Sequence, residues 1–165
     1  KSVKIILPDA TEIDAKVVLR DRDMDMAFIR TKQKMEKSIV SVNLNDQANP
    51  RVMDEIVVLG RLSKVARYAP SAMAARIAAI VSKPRTFYIP QMEGGDPGYI
   101  GTPAFSLDGK PIGVILIRIL DHDGAVGFNA MMGGSGAMGI TAVIMPMAEI
   151  LEASKQAPNE PKAKE

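Results

Sequence analysis

Alternation dominates the front of the chain. Val3, Ile5 and Leu7 alternate with polar neighbours, Pro8-Asp9-Ala10-Thr11 turns, and Ala15 to Leu19 extends again. That period of two, punctuated by Pro and Asp, predicts a β-hairpin. Asp21 to Asp25 then turns into a third strand over Met26 to Arg30. Further strands are predicted at Ser38 to Leu44 and Glu55 to Gly60, around the polar loop Asn45 to Arg51. Ala74 to Ser82 and Thr86 to Ile89 are apolar runs split by Lys83-Pro84-Arg85, and the first reads as strand because Pro70 and Pro84 leave little room for a helix. Ile112 to Leu120 is almost wholly apolar, as expected of a strand buried on both faces. A turn at Asp121 to Gly124, an extended run from Ala125 to Met131 and a Gly/Met loop to Gly139 lead into a last strand at Ile140 to Met145. Pro146 opens a helix with Met147, Ile150 and Leu151 on one face. The pattern is all-β with one closing helix.

The densest punctuation falls between Gly94 and Gly113, where six glycines and three prolines share one segment. Chain of this kind turns sharply and lets another backbone approach closely. Leu107-Asp108-Gly109-Lys110 supplies the positive φ of a tight hairpin turn.

Composition narrows the function. The chain has 165 residues, 47% hydrophobic and 24% charged, the balance of one ordinary globular domain. A net charge of +2, with only a weakly basic tail, demands no nucleic-acid or acidic partner, and 4% aromatic content argues against base stacking. The chain lacks cysteine, so it has neither disulfides nor thiolate chemistry. No apolar run approaches the roughly 18 residues of a membrane span. The start at Lys1 reads as a processed or trimmed end.

Three textual motifs carry little. Asp21-x-Asp23-x-Asp25 begins like a calcium loop, but Met26 and Lys32 stand where glycine and glutamate are required. Gly134-x-Gly136-x-x-Gly139 matches a dinucleotide fingerprint, yet a strand follows it where a helix is needed. His122 is the only histidine, and with no cysteine it cannot build an ordinary zinc site. No metal or cofactor is expected.

Pro97-Gly98-x-x-Gly101-x-Pro103, followed by Leu107-Asp108-Gly109-Lys110-x-Ile112-Gly113, resembles the nucleophile loop of trypsin-like serine peptidases, in particular the HtrA/Deg branch. Asp25-Met26-Ala27, Met53-Asp54-Glu55-Ile56 to Gly60, and Ile80-Val81-Ser82 are similar to other elements of that branch. The likeness runs from about Val3 to Gln156. It implies a trypsin-like double β-barrel, with a partial first barrel over 1–49, a second barrel with its closing helix over 50–157, and a polar tail over 158–165. Laid on the pattern without gaps, the catalytic serine falls on Ile100, which has no group able to attack a carbonyl. Asp25 falls on the aspartate that orients the catalytic histidine. Gly98 takes the place of a glycine that helps hold the oxyanion. His122 follows Asp25, whereas the family's histidine precedes it, and the likeness begins only at the fourth strand of the first barrel. Thr102 and Ser106 read as ordinary loop and strand hydroxyls rather than substitute nucleophiles.

The resemblance therefore implies a pseudoprotease: a peptide-binding, regulatory or assembly module, with Gly94, Gly95 and Gly98 leaving room for an extended peptide. The alternative is an active serine endopeptidase with an unrecognised nucleophile. An incomplete first barrel would leave a strand edge that invites homo-oligomers. By family alone, the compartment is periplasmic or otherwise extracytoplasmic.

Overall fold

The structure, a computed structural model, describes residues 3–33, 39–83, 85–92, 97–119 and 140–158. Two compact units make up the chain: Lys1–Val42 with Glu149–Glu165, and Asn43–Ala148.

The first unit is a three-stranded antiparallel sheet in the order β1-β2-β3, from Val3–Ile6, Glu12–Asp21 and Met26–Thr31. The Pro8–Thr11 turn forms as its residues suggest. Thr11 N–H donates to Asp9 Oδ1 at 3.0 Å, and Leu7 N–H donates to Thr11 O at 2.8 Å. Ala10 takes φ of +64° to complete the turn. β2 and β3 pair from Ala15↔Thr31 to Asp21↔Met26, with an irregularity between Val17 and Leu19.

The second unit is a closed antiparallel barrel in the order β4-β5-β6-β9-β8-β7. Its strands are β4 Glu55–Arg61, β5 Pro70–Val81, β6 Phe87–Gln91, β7 Pro103–Ser106, β8 Pro111–Ile119 and β9 Ile140–Pro146. Closure leaves this sheet no free edge. Inward positions fill the lumen with Ile56, Val58, Ile77, Ala104, Ile115 and Ile144, all buried. At Gly113 β8 approaches β9 tightly: a β-carbon there would lie 2.0 Å from the Met145 carbonyl oxygen. The Asp108-Gly109 hairpin forms as expected, with Gly109 at φ +82°. Helix α1, Met147–Ser154, follows β9 directly, and Met147 and Ile150 are buried.

Two expectations are corrected. Ile39 to Asn43 forms no strand, and Val40 is 97% exposed. β-branched residues favour a strand only where a neighbouring strand supplies the ladder, and among the described residues none is paired to this stretch. β8 is buried on both faces over most of its length, as expected, with Ile112 and Leu116 buried on one face and Gly113 and Ile115 on the other, and it becomes exposed only at Ile117. β5 begins at Pro70, four residues before the apolar run, because a strand's first position tolerates proline. The elements expected over 120–139 lie outside the described residues.

Candidate functional site

A single 3₁₀ turn at Pro97–Tyr99 leads through Ile100 and Gly101 into β7. Gly101 has φ of +79°, a conformation open to glycine at little cost. Two backbone hydrogen bonds fasten this loop to β8. Gly101 N–H donates to Ile115 O at 2.7 Å, and Ile115 N–H donates to Thr102 O at 2.9 Å. Together they extend the β7–β8 ladder past the Pro103↔Val114 pair. Thr102 closes the turn twice, its N–H donating to Tyr99 O at 3.2 Å and its hydroxyl donating to the same oxygen.

Tyr99 anchors the loop from below. It packs against the barrel core, with its ring against Gly60 near the end of β4. Ile100, the next residue, goes the other way and is 43% exposed. The loop thus holds an aromatic side chain in and an aliphatic one out. Ile100 offers no lone pair and no titratable proton, so at this point the loop presents shape and apolar surface only. Gly98 is exposed, and it makes an interaction within the chain. Gly94 and Gly95 lie outside the described residues, as does His122.

The neighbouring hydroxyls are committed locally. Thr102 Oγ1 serves the turn, and Ser106 Oγ donates to Asp108 Oδ1 while accepting from Lys110 N–H at 3.1 Å. The hydrogen bond from Ser106 holds the Asp108 carboxyl below its ordinary value. Both side chains organise turns, in keeping with their reading from sequence.

In the first unit, Asp25 ends the β2–β3 turn. It is exposed, has φ of +53°, and its N–H donates to Arg22 O at 3.3 Å. The turn is pinned from the other side: Asp21 Oδ1 accepts from Met24 N–H at 2.9 Å, and the Met24 side chain is buried. Met24 and Tyr99 are the two anchors that sequence reading missed. A methionine within an Asp-rich turn gives no periodic signal, but Gly60 at a strand end was a sign of close approach.

Away from the loop, a recess of about 430 Å³ opens at the start of β4, lined by Glu55, Ile56, Arg76, Gln91 and Leu107 among others. Gly60 is near the other end of that strand, so the recess is separate from the loop. Among the described residues no cluster of His, Cys, Asp and Glu is arranged to hold a metal ion.

A closed six-stranded barrel, a second antiparallel sheet and a glycine loop fastened to β8 define a trypsin-like fold. The chain belongs to the trypsin-like peptidase domain family, whose sequence profile matches residues 1–114. Within that family its similarity is to the HtrA/Deg branch. It is 29% identical over 124 residues to a protein of Rhizobium meliloti (strain 1021) named "Probable periplasmic serine endoprotease DegP-like", covering 74% of this chain and 24% of that protein. A protein of the same name from Brucella suis is 30% identical over 124 residues, with the same coverage. The chain thus spans about a quarter of the length of the curated relatives it matches. Among solved structures, the MamO protease domain from Magnetospirillum magneticum in its apo form superposes with a TM-score of 0.65 at 13% identity, over 92% of this chain and 73% of that one. The serine endoprotease from Yersinia pestis superposes with a TM-score of 0.63 at 14% identity, over 95% and 48%. At these identities the two structures establish the fold. No helix among the described residues is long and apolar enough to cross a membrane.

Proposed function

We propose that this chain is a non-catalytic member of the HtrA branch, a module that binds an extended peptide or protein segment for regulation or assembly. The observation that carries the reading is Ile100: an exposed aliphatic residue at the outer turn of a loop otherwise built like a nucleophile loop. In the register of the resemblance, Ile100 takes the serine's place, Asp25 is a vestigial triad aspartate and Gly98 an oxyanion-side glycine. Peptides add to trypsin-like clefts as an extra strand held by backbone hydrogen bonds, which need no nucleophile. Ile100 makes the floor of such a site apolar and favours a hydrophobic ligand side chain.

Fluorophosphonate labelling tests the catalytic half: no covalent adduct is expected. An adduct lost on mutating Thr102 or Ser106 would establish the competing reading, an active serine endopeptidase. The names of the Rhizobium and Brucella relatives favour that reading. Ile100→Ser alone is expected to leave the chain inactive, because losing one triad member typically removes about 10⁴-fold or more and His122 follows Asp25 in chain order. The same relatives support an extracytoplasmic location. Self-association through the outer strands β1 and β3 of the first sheet belongs to the assembly reading, and light scattering showing a stable monomer of 17.8 kDa would remove it.

A further inference from the structure

The small net charge hides a strong segregation. Between Ile56 and Met92 the sequence has Arg61, Lys64, Arg67, Arg76, Lys83 and Arg85, and no Asp or Glu. Two of these six cations, Lys64 and Arg67, stand in the short connection between β4 and β5, residues 62–69, and Arg61 is the last residue of β4 beside them.

That connection is a preformed, outward-projecting tip. Leu62 N–H donates to Ala69 O at 3.0 Å, Ala66 N–H to Ser63 O at 2.9 Å, and Tyr68 N–H to Ser63 O at 3.2 Å. Arg67 and Tyr68 both take the left-handed conformation, at φ +52° and +55°, to close it. Several of its backbone N–H groups are thus paired within the turn, and Tyr68 and Ala69 at its base are half-buried. All of residues 61–67 are exposed, with Val65 at 97% and Leu62 at 48%. The adjoining ribbon exposes apolar residues too. Leu59 pairs with Ala72 and Arg61 with Pro70, and all four are exposed. Exposed aliphatic side chains are thus interleaved with cations at one end of the β4–β5 ribbon.

We infer that the β4–β5 tip docks peripherally on an anionic lipid surface, with Val65 and Leu62 entering the interface and Lys64 and Arg67 meeting headgroup phosphates. Charge complementarity selects an anionic partner. The aliphatic pair selects a lipid one, since interfacial binding combines buried apolar area with electrostatic attraction. Nothing here depends on whether the loop at Ile100 is catalytic.

Co-sedimentation with vesicles of phosphatidylcholine, with and without phosphatidylglycerol, tests the inference. The protein should pellet with the anionic vesicles only, and less so as salt is raised. Val65→Asp should weaken partitioning by about tenfold, and Lys64→Glu with Arg67→Glu by about as much. Val65→Ser, which adds no charge, should show a smaller loss in the same direction. All these positions are exposed, and melting curves matching wild type would show that the variants fold. Absence of pelleting with anionic vesicles would overturn the inference, as would pelleting that neither set of variants reduces. Equally strong retention on poly-glutamate, unaffected by Val65→Asp, would overturn it in favour of an acidic protein partner.

Discussion

The ring of Tyr99 lies against the α-carbon of Gly60. A β-carbon built on Gly60 would come within 3.2 Å of Tyr99 Cε1, 3.3 Å of Tyr99 Cδ1 and 3.1 Å of Ser71 Oγ. The glycine near the end of β4 therefore seats the aromatic residue that fastens the candidate loop. Gly60→Val should displace the ring and destabilise the fold by about 1–3 kcal/mol, the usual range for overpacking. Tyr99→Ala should loosen the loop without a clash at Gly60. Melting curves of the two single variants and the double variant check this. Strong non-additivity is expected, because the two residues touch.

Gly113 makes a harder contact. Its missing β-carbon would meet backbone, 2.0 Å from Met145 O and 2.9 Å from Met145 C. No rotamer change relieves that, so β8 and β9 would have to part. Gly113→Ala should cost at least ~3 kcal/mol, although alanine otherwise suits a strand better than glycine does. Chemical denaturation of the soluble fraction measures it, and a loss below ~1 kcal/mol would show that the barrel can widen at this point.

How far the chain could be read from its sequence follows from what kind of information each feature carries. The strands around Ile56, Val58 and Ile115 are legible because short apolar runs bounded by polar or Gly/Pro-rich segments read as strands. The hairpin at Gly109 was legible because Asp-Gly leaves few alternatives. Ile39 to Asn43 was misread because its β-branched residues advertise a strand whose partner no local pattern can supply. Among site residues, Ile100 was singled out by its place in a motif, and its exposure agrees with a surface role. Met24 and Tyr99 escaped notice because an anchor is defined by what it touches across the sheet. The cations from Arg61 to Arg85 are in plain view in the sequence, yet a net charge of +2 averages them away.

Acid and alkali should act at different places. The Asp108 carboxyl is held below its ordinary value of 3.8, chiefly by the hydrogen bond from Ser106, with partial desolvation opposing and Lys110 assisting. A lowered folded value contributes stability that is present above the unfolded value and lost as pH falls through the folded one. The β7–β8 turn should therefore weaken only below about pH 4. Ser106→Ala should move the Asp108 titration upward, as read by side-chain carboxyl NMR. Tyr88 is the reverse case. Burial raises its phenol above 10.0, so its contribution is complete below that value and disappears as pH climbs through the raised one. Tyrosinate absorbance in the folded protein should lag behind that of the unfolded chain. Coincident curves would show that Tyr88 is wetter than its packing suggests.

The proposed peptide recognition is tested at Gly98. If an extended ligand lies against the loop, a branched side chain at this exposed position obstructs backbone approach, while its effect on the barrel stays modest because the loop is held elsewhere, at Gly101, Thr102 and Tyr99. If the loop persists only to close the barrel, Gly98→Val should lower stability and change nothing else, there being no binding to lose. Titrating unstructured peptide libraries rich in hydrophobic residues against wild type and Gly98→Val, with melting curves alongside, separates the two. Saturable binding by wild type that the variant loses, with little change in melting, is the expected result. Ile100→Asp supplies a second reading of the same surface. It leaves the backbone untouched and makes the site floor anionic, so it should weaken hydrophobic ligands by about tenfold, roughly what one buried aliphatic side chain contributes. Failure of wild type to bind any peptide below about millimolar, where the binding free energy falls under ~4 kcal/mol, would end the recognition reading whatever the loop's shape.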